Sequence, residues 1–143
     1  MDTAKLSMTV SSNEAVLDVS IHLNDRVIYC GIPGTTATVV DCEFNDEDSA
    51  EHTLSIKLSG KNIDHTKVDE QGNIVKDVLV TFSNFKLEDI DISQIVIDHA
   101  EYHHDFNGTQ DKIVDSFHGT IGCNGTVIFK FQSPAYLWLL ENM

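Results

Sequence analysis

The apolar side chains of this chain return at every second residue, and that rhythm limits the folds open to it. From Glu14 to Leu23 the order E-A-V-L-D-V-S-I-H-L places Ala15, Leu17, Val19, Ile21 and Leu23 on one side of an extended backbone. A period of two marks a strand with one face buried. Glu51 to Ser59 repeats the pattern with Leu54, Ile56 and Leu58. Thr35 to Phe44 is rich in Thr and Val, residues that suit a pleated surface, and reads as a second clear strand. Arg26 to Tyr29 is a short apolar piece after the turn-like Asn24-Asp25. Val75 to Phe85 reads as a further strand, and Gln94 to Phe106 as the longest extended segment. Gly60 to Asn73 is polar and reads as a loop, while Lys86 to Asp91 fits a loop or a short strand.

Asp111 to Gly122 and Thr126 to Phe131 read as two strands of a hairpin closed by Cys123-Asn124-Gly125. Asn-Gly favours the type I′ turn, in which both central residues take positive φ. The C-terminal segment differs. Ser133-Pro134 ahead of Ala135-Tyr136-Leu137-Trp138-Leu139-Leu140-Glu141 has the Ser cap and first-turn Pro of a helix start. A buried strand fits the same apolar run. The expectation is one or two helical turns, with Trp138 anchoring the core. Short strands at this spacing, without a linker or internal repeat, predict one all-β domain over residues 1–143. Its architecture is a two-sheet antiparallel β-sandwich of jelly-roll type with a short C-terminal helix. A chain of 143 residues is long enough for one sizeable core.

Charge narrows the partners. There are 23 acidic residues against 9 basic ones, a net charge of −14. Such a surface repels phosphate backbones and anionic lipid, so neither nucleic acid nor membrane is an expected partner. It keeps a protein soluble and attracts cations. The three cysteines, Cys30, Cys42 and Cys123, form no C-x-x-C pair, and an odd count is unlike a disulfide-stapled module. All three lie in or beside apolar stretches and read as buried thiols. Met1 to Val10 lacks a signal-peptide core, and no stretch approaches the roughly 18 apolar residues of a membrane span.

Three constellations carry potential chemistry. In Asp105-Phe106-Asn107-Gly108-Thr109-Gln110-Asp111, hard oxygen donors in a glycine-containing loop suit calcium, with Asp115 completing the shell. The same segment with Tyr102 and Asn107 forms the expected ligand-binding rim. In Asp98 to Asp105, a strand would align His99, Glu101 and His103 on one face, neighbours being about 6.7 Å apart. With His118 these residues form an alternative metal set, although no H-E-x-x-H or C-x-x-C spacing is present. The third is Glu43-Phe44-Asn45-Asp46-Glu47-Asp48, a cation site or a solvated loop. Nucleophile-elbow and phosphate-loop motifs are absent from the sequence. Asn107-Gly108-Thr109 and Asn124-Gly125-Thr126 match the glycosylation acceptor pattern but read as turns.

The C-terminal half resembles a known group. Asp105-Phe106-Asn107-Gly108-Thr109, then Gly119-Thr120-Ile121-Gly122-Cys123-Asn124-Gly125-Thr126-Val127, then Pro134-Ala135-Tyr136-Leu137-Trp138-Leu139-Leu140-Glu141-Asn142 resembles small β-sandwich proteins of marine tailed phages, over about residues 51–143. That group has no established activity to transfer. The resemblance implies a phage setting, in a virion or host cytoplasm, with other virion proteins as partners. A looser similarity is to calcium-dependent carbohydrate-binding modules, which are also small acidic sandwiches with Asp-rich loops. It implies a glycan ligand and calcium as cofactor, although the exposed aromatic platforms of such modules are not evident. The expected function is a non-catalytic binding module. The alternatives are a structural or assembly protein of a virion and a metal-dependent enzyme built on the His-rich segment.

Overall fold

The computed structural model describes residues 3–47, 50–62, 65–104 and 111–142. Two antiparallel sheets pack face to face around one core. The first sheet contains β1 (Thr3–Ser12), β4 (Thr38–Asn45), β8 (Val80–Leu87), β9 (Ile90–Asp91) and β12 (Thr120–Ile121). Its order is β12-β8-β1-β4, with β9 paired to β8. The second sheet contains β2 (Asp18–Leu23), β3 (Arg26–Gly31), β5 (Glu51–Ser59), β10 (Glu101–His104), β11 (Ile113–Ser116) and β13 (Gly125–Gln132). Its order is β11-β10-β13-β5-β2-β3. A separate ribbon joins β6 (Thr66–Val68) to β7 (Ile74–Asp77). Two helices complete the described residues, α1 (Ser93–His99) and α2 (Ala135–Asn142). The all-β sandwich and its C-terminal helix are therefore as expected, and most connections cross between the sheets.

Alternation fills the core from both sides. Val19, Ile21 and Leu23 of β2, Leu54, Ile56 and Leu58 of β5, and Val127, Phe129 and Phe131 of β13 are buried. They face Ala4, Leu6, Met8 and Val10 of β1 across the sandwich. Each such side chain contributes about 1.5–3 kcal/mol on burial. Trp138 of α2 meets Phe129 and Phe131 edge-on, with ring centroids 5.9 and 6.0 Å away. In β8 the buried set shifts from Val80 and Phe82 to Phe85 and Leu87. The shift follows from a bulge opposite Ser7–Thr9, where Asn84 takes φ of 53°. An extra residue in one strand resets which side chains point inwards.

Several sequence expectations are corrected. β1 is a central strand that the sequence reading did not pick out, and Ala15 is exposed. The ribbon strand β6 lies within the expected loop Gly60 to Asn73, and Val75 to Phe85 divides between β7 and β8. Gln94 to Phe106 is not one strand. The Asp91 carboxylate accepts the Ser93 N–H at 2.8 Å, and Gln94 bonds Asp98 at 2.9 Å one turn on. Buried Ile92, Val96 and Ala100 then follow a four-residue period, and β10 begins only at Glu101.

The hairpin at Asn124-Gly125 is also absent. β12 pairs with β8 in the first sheet, whereas β13 pairs with β10 and β5 in the second. The Asn124 side chain accepts the Lys61 N–H at 2.8 Å and donates to the Lys61 carbonyl at 3.0 Å. Gly125 is small because the strands meet there: a Cβ would lie 2.3 Å from the His103 carbonyl oxygen. The tight turn of the second sheet is instead Asn24-Asp25, between paired Leu23 and Arg26, with φ of 57° at Asn24. At α2 the cap is not Ser133. The Ala135 N–H donates to the Asp46 carboxylate at 2.7 Å, which assigns part of the Glu43–Asp48 run; Asp48 lies outside the described residues.

Candidate functional site

Glu101 and His103 of β10 fall on the opposite alternation from Tyr102, which is buried with its cross-strand partner Val127. Their side chains therefore point away from the core, as do Thr126, Ile128 and Lys130 of β13. The register extends this outward face across the sheet. Ser116, Glu101, Ile128, Ser55 and His22 are successive cross-strand partners in one row. Val114, His103, Thr126, Lys57 and Ser20 form the next.

Two cavities open along β10 and β13. The first, about 270 Å³, is lined by His103, His104, Lys112, Asn124, Gly125 and Thr126. The second, about 260 Å³, is lined by His99, Glu101, Ile128, Lys130, Trp138 and Asn142. Between them stands the Glu101–His103 pair, with Oε1 and Nε2 3.4 Å apart. His103 Nε2 is screened from solvent and makes no hydrogen bond among the described residues. Polar groups of this kind are ordinarily satisfied in a folded protein.

Beside the first cavity the side chains are tied down. His104 Nε2 lies 2.7 Å from Asp115 Oδ2, and the His104 ring stacks on Tyr102 with centroids 4.4 Å apart. The Tyr102 hydroxyl donates to the Cys123 carbonyl and accepts the Cys123 N–H at 3.1 Å. Burial pushes the phenol pKa up, with the bond to Cys123 opposing it. Tyr102 is thus an internal strut joining β10 to the segment before β13, rather than an exposed contact for a ligand.

The sequence-derived metal sets fare unevenly. His99 ends α1, so it does not share a strand face with Glu101 and His103. His118 is exposed between β11 and β12. Among the described residues, no three His, Cys, Asp or Glu side chains gather around one point. His99, Glu101, His103 and His118 are therefore not gathered around one point. Of the calcium candidates, Asp105 and Asn107 lie outside the described residues. Asp111 is exposed and Asp115 faces His104.

A second polar cluster escaped the sequence reading. His52 shares the inward alternation of Leu54, Ile56 and Leu58 and is only 5% exposed. Its Nε2 lies 2.7 Å from Ser133 Oγ, and its Nδ1 lies 3.1 Å from Asn24 Nδ2. Ser, His and Asn in line have the outline of a catalytic triad, but the proton positions exclude it. The Thr53 N–H donates to Asn24 Oδ1 at 3.0 Å, so the amide turns its NH₂ to His52. Nδ1 must accept, and Nε2–H must donate to Ser133. A general base for serine needs Nε2 free to accept. Burial lowers the His52 pKa, partly offset by the Asp46 charge. The cluster pins the β2–β3 turn to β5 and to the start of α2. An imidazole at an inward strand position was the signal that could have revealed it.

Lys61 is a further buried polar residue, with its side chain 1% exposed. Its Nζ donates to Asp77 Oδ1 at 2.6 Å and to the Val78 carbonyl at 2.7 Å. Burial raises the Asp77 pKa, but hydrogen bonds from Lys61 and Thr66 and the Lys61 charge outweigh it, and the net shift is downward. Comparison with family models, curated proteins and solved structures finds no match to this chain.

Proposed function

We propose that this chain is a non-catalytic binding domain that holds a glycan across the outward face of its six-stranded sheet. The observation that carries this reading is the pair of neighbouring cavities along β10 and β13, on a face whose cross-strand rows are mostly polar. Each is slightly smaller than the roughly 300 Å³ at which compact small-molecule sites begin, and together they suit a chain of small units. His103, Lys112, Asn124 and Thr126 offer donors and acceptors to hydroxyl groups at the first. Trp138 and Ile128 supply apolar walls at the second, beside Glu101 and Lys130. A neutral, hydroxyl-rich ligand escapes the repulsion that a net charge of −14 imposes on anions.

Calcium is the proposed cofactor, held by Asp105, Asn107 and Asp111, with Asp115 recruited from its bond to His104. The segment from Asp105 to Asp111 leads directly into Lys112, which lines the first cavity. The proposed setting is a phage virion or a surface that its host presents.

A glycan array probed with and without EDTA, followed by titration calorimetry, tests this reading. Hits that weaken in His103→Ala, and a calcium heat lost in Asp111→Asn, are expected. An array without hits in the presence of calcium would remove the glycan. A flat calcium titration alongside EDTA-insensitive hits would remove the metal.

A further inference from the structure

Two surfaces of this chain carry large apolar side chains that are exposed among the described residues, and their charges are opposite. The first is the β6–β7 ribbon, which belongs to neither main sheet. Val68, Ile74 and Val75 on it are between 58% and 65% exposed. Lys67 and Lys76 are direct cross-strand partners. Like charges placed opposite one another destabilise a strand pair, so this arrangement favours a carboxylate from elsewhere. Lys76 has an exposed pairing with Glu14 at 3.5 Å, and Lys67 has no ion pair among the described residues. In a chain with 9 basic residues against 23 acidic ones, two paired lysines on an exposed ribbon are an exception.

A two-stranded ribbon is marginal alone, but this one has a fixed root. Lys61 and Thr66 both donate to the Asp77 carboxylate, and the Val78 N–H donates to the His65 carbonyl at 3.0 Å. The arm is therefore anchored at its base and uncovered beyond it.

The second surface is the outer side of α2. Tyr136, Leu137 and Leu140 lie within one arc of the helix and are between 50% and 68% exposed. The other side buries Ala135, Trp138 and Leu139 in the core. Apolar residues thus stand on both the inner and the outer side of this helix, and an outer apolar arc of this kind is normally covered. Glu141 borders the open arc, and Asp46 sits at the helix start.

We propose that the β6–β7 arm of one copy of this chain docks on the outer side of α2 of a second copy. The match is one of charge and polarity: an apolar, dibasic arm against an apolar, acid-edged helix. The contact joins two different surfaces, so it repeats from copy to copy and builds a ring or a filament. The net charge of −14 opposes approach at long range, but at physiological salt it is screened beyond about 8 Å, whereas the contact pairs lie within that distance. This inference does not depend on the glycan reading.

Sedimentation of the whole chain in about 0.15 M salt, from about 10 μM to about 1 mM, tests it. The mass of the wild type is expected to climb with concentration past that of a dimer. Lys67→Glu/Lys76→Glu and Leu137→Gln/Leu140→Gln should each remain single chains. Their equimolar mixture should form dimers that grow no further, because the mixture retains one intact arm contact. All four positions are exposed, and circular dichroism reports whether each variant is folded. Ile74→Thr, which keeps β-propensity, replaces the charge-reversed arm if that variant unfolds, and should weaken association at least tenfold. A wild type of single-chain mass throughout overturns the proposal. So does association unchanged in either folded variant, or a mixture that fails to pair.

Discussion

His52 and His103 are both strand histidines flanked by polar neighbours, yet their surroundings differ. His52 points inwards, and both ring nitrogens are engaged, by Asn24 and by Ser133. His103 points outwards, and its Nε2 rests 3.4 Å from Glu101 without a hydrogen bond among the described residues. The inner ring is completed by its neighbours, whereas among the described residues the outer one has only the Glu101 carboxylate beside its Nε2. The difference separates a residue locked into the fold from one the proposed glycan reading draws on. Lys61 belongs with the inner kind, since its charge ends on Asp77 and the Val78 carbonyl.

The strongest way to break this comparison is at Lys61. Lys61→Met removes the hydrogen bonds to the partly exposed Asp77 carboxylate and to the Val78 carbonyl and should lower unfolding stability by about 3 kcal/mol in urea titrations, the upper end of the scale for hydrogen bonds to charged groups. A smaller effect is expected at His52. His52→Leu strands Asn24 and Ser133 and should cost about 2 kcal/mol. Wild-type stability should also depend on pH through this ring. The folded pKa lies below the unfolded 6.5, so the His52 contribution is complete above pH 6.5 and is lost as pH falls through the folded value. Comparing unfolding midpoints of wild type and His52→Leu between pH 7.5 and 5 isolates that slope; parallel curves would show that the ring does not titrate against folding. Asp77 acts in a separate window, because its lowered pKa gives stability that is lost only below about 3.8. The smallest stability effect belongs to His103. His103→Ala should fall within about 0.5 kcal/mol of wild type while weakening glycan binding, and a large loss of stability would erase the distinction.

How much of this was legible in the sequence follows from the range of each force. Strand alternation is local, and it marks β5 and β13 almost to their ends, whereas β2 begins at Asp18, four residues after the expected start at Glu14. The same alternation at Ala4, Leu6, Met8 and Val10 marks β1. Ile95 and Ile97 imitate a strand rhythm in α1, while the residues that bind that helix to the core are Ile92, Val96 and Ala100. Partner choice is not local. Nothing near Asn124-Gly125 states that β12 leaves for the other sheet, or that Asn124 is committed to Lys61, 63 residues away. The outward face was half visible, because Glu101 and His103 were singled out together. The cavities beside them needed Trp138 and Lys112, which arrive from other elements.

Gly125 has a consequence for the outward face. The backbones of β10 and β13 run beside each other there with space for a hydrogen atom and no more, since a methyl group would also lie 2.8 Å from His104 Cβ. Any larger residue at this position would act as a wedge, prying apart the two strands that frame both hollows. The separation of β10 and β13 beside both hollows thus depends on an atom that is missing from Gly125.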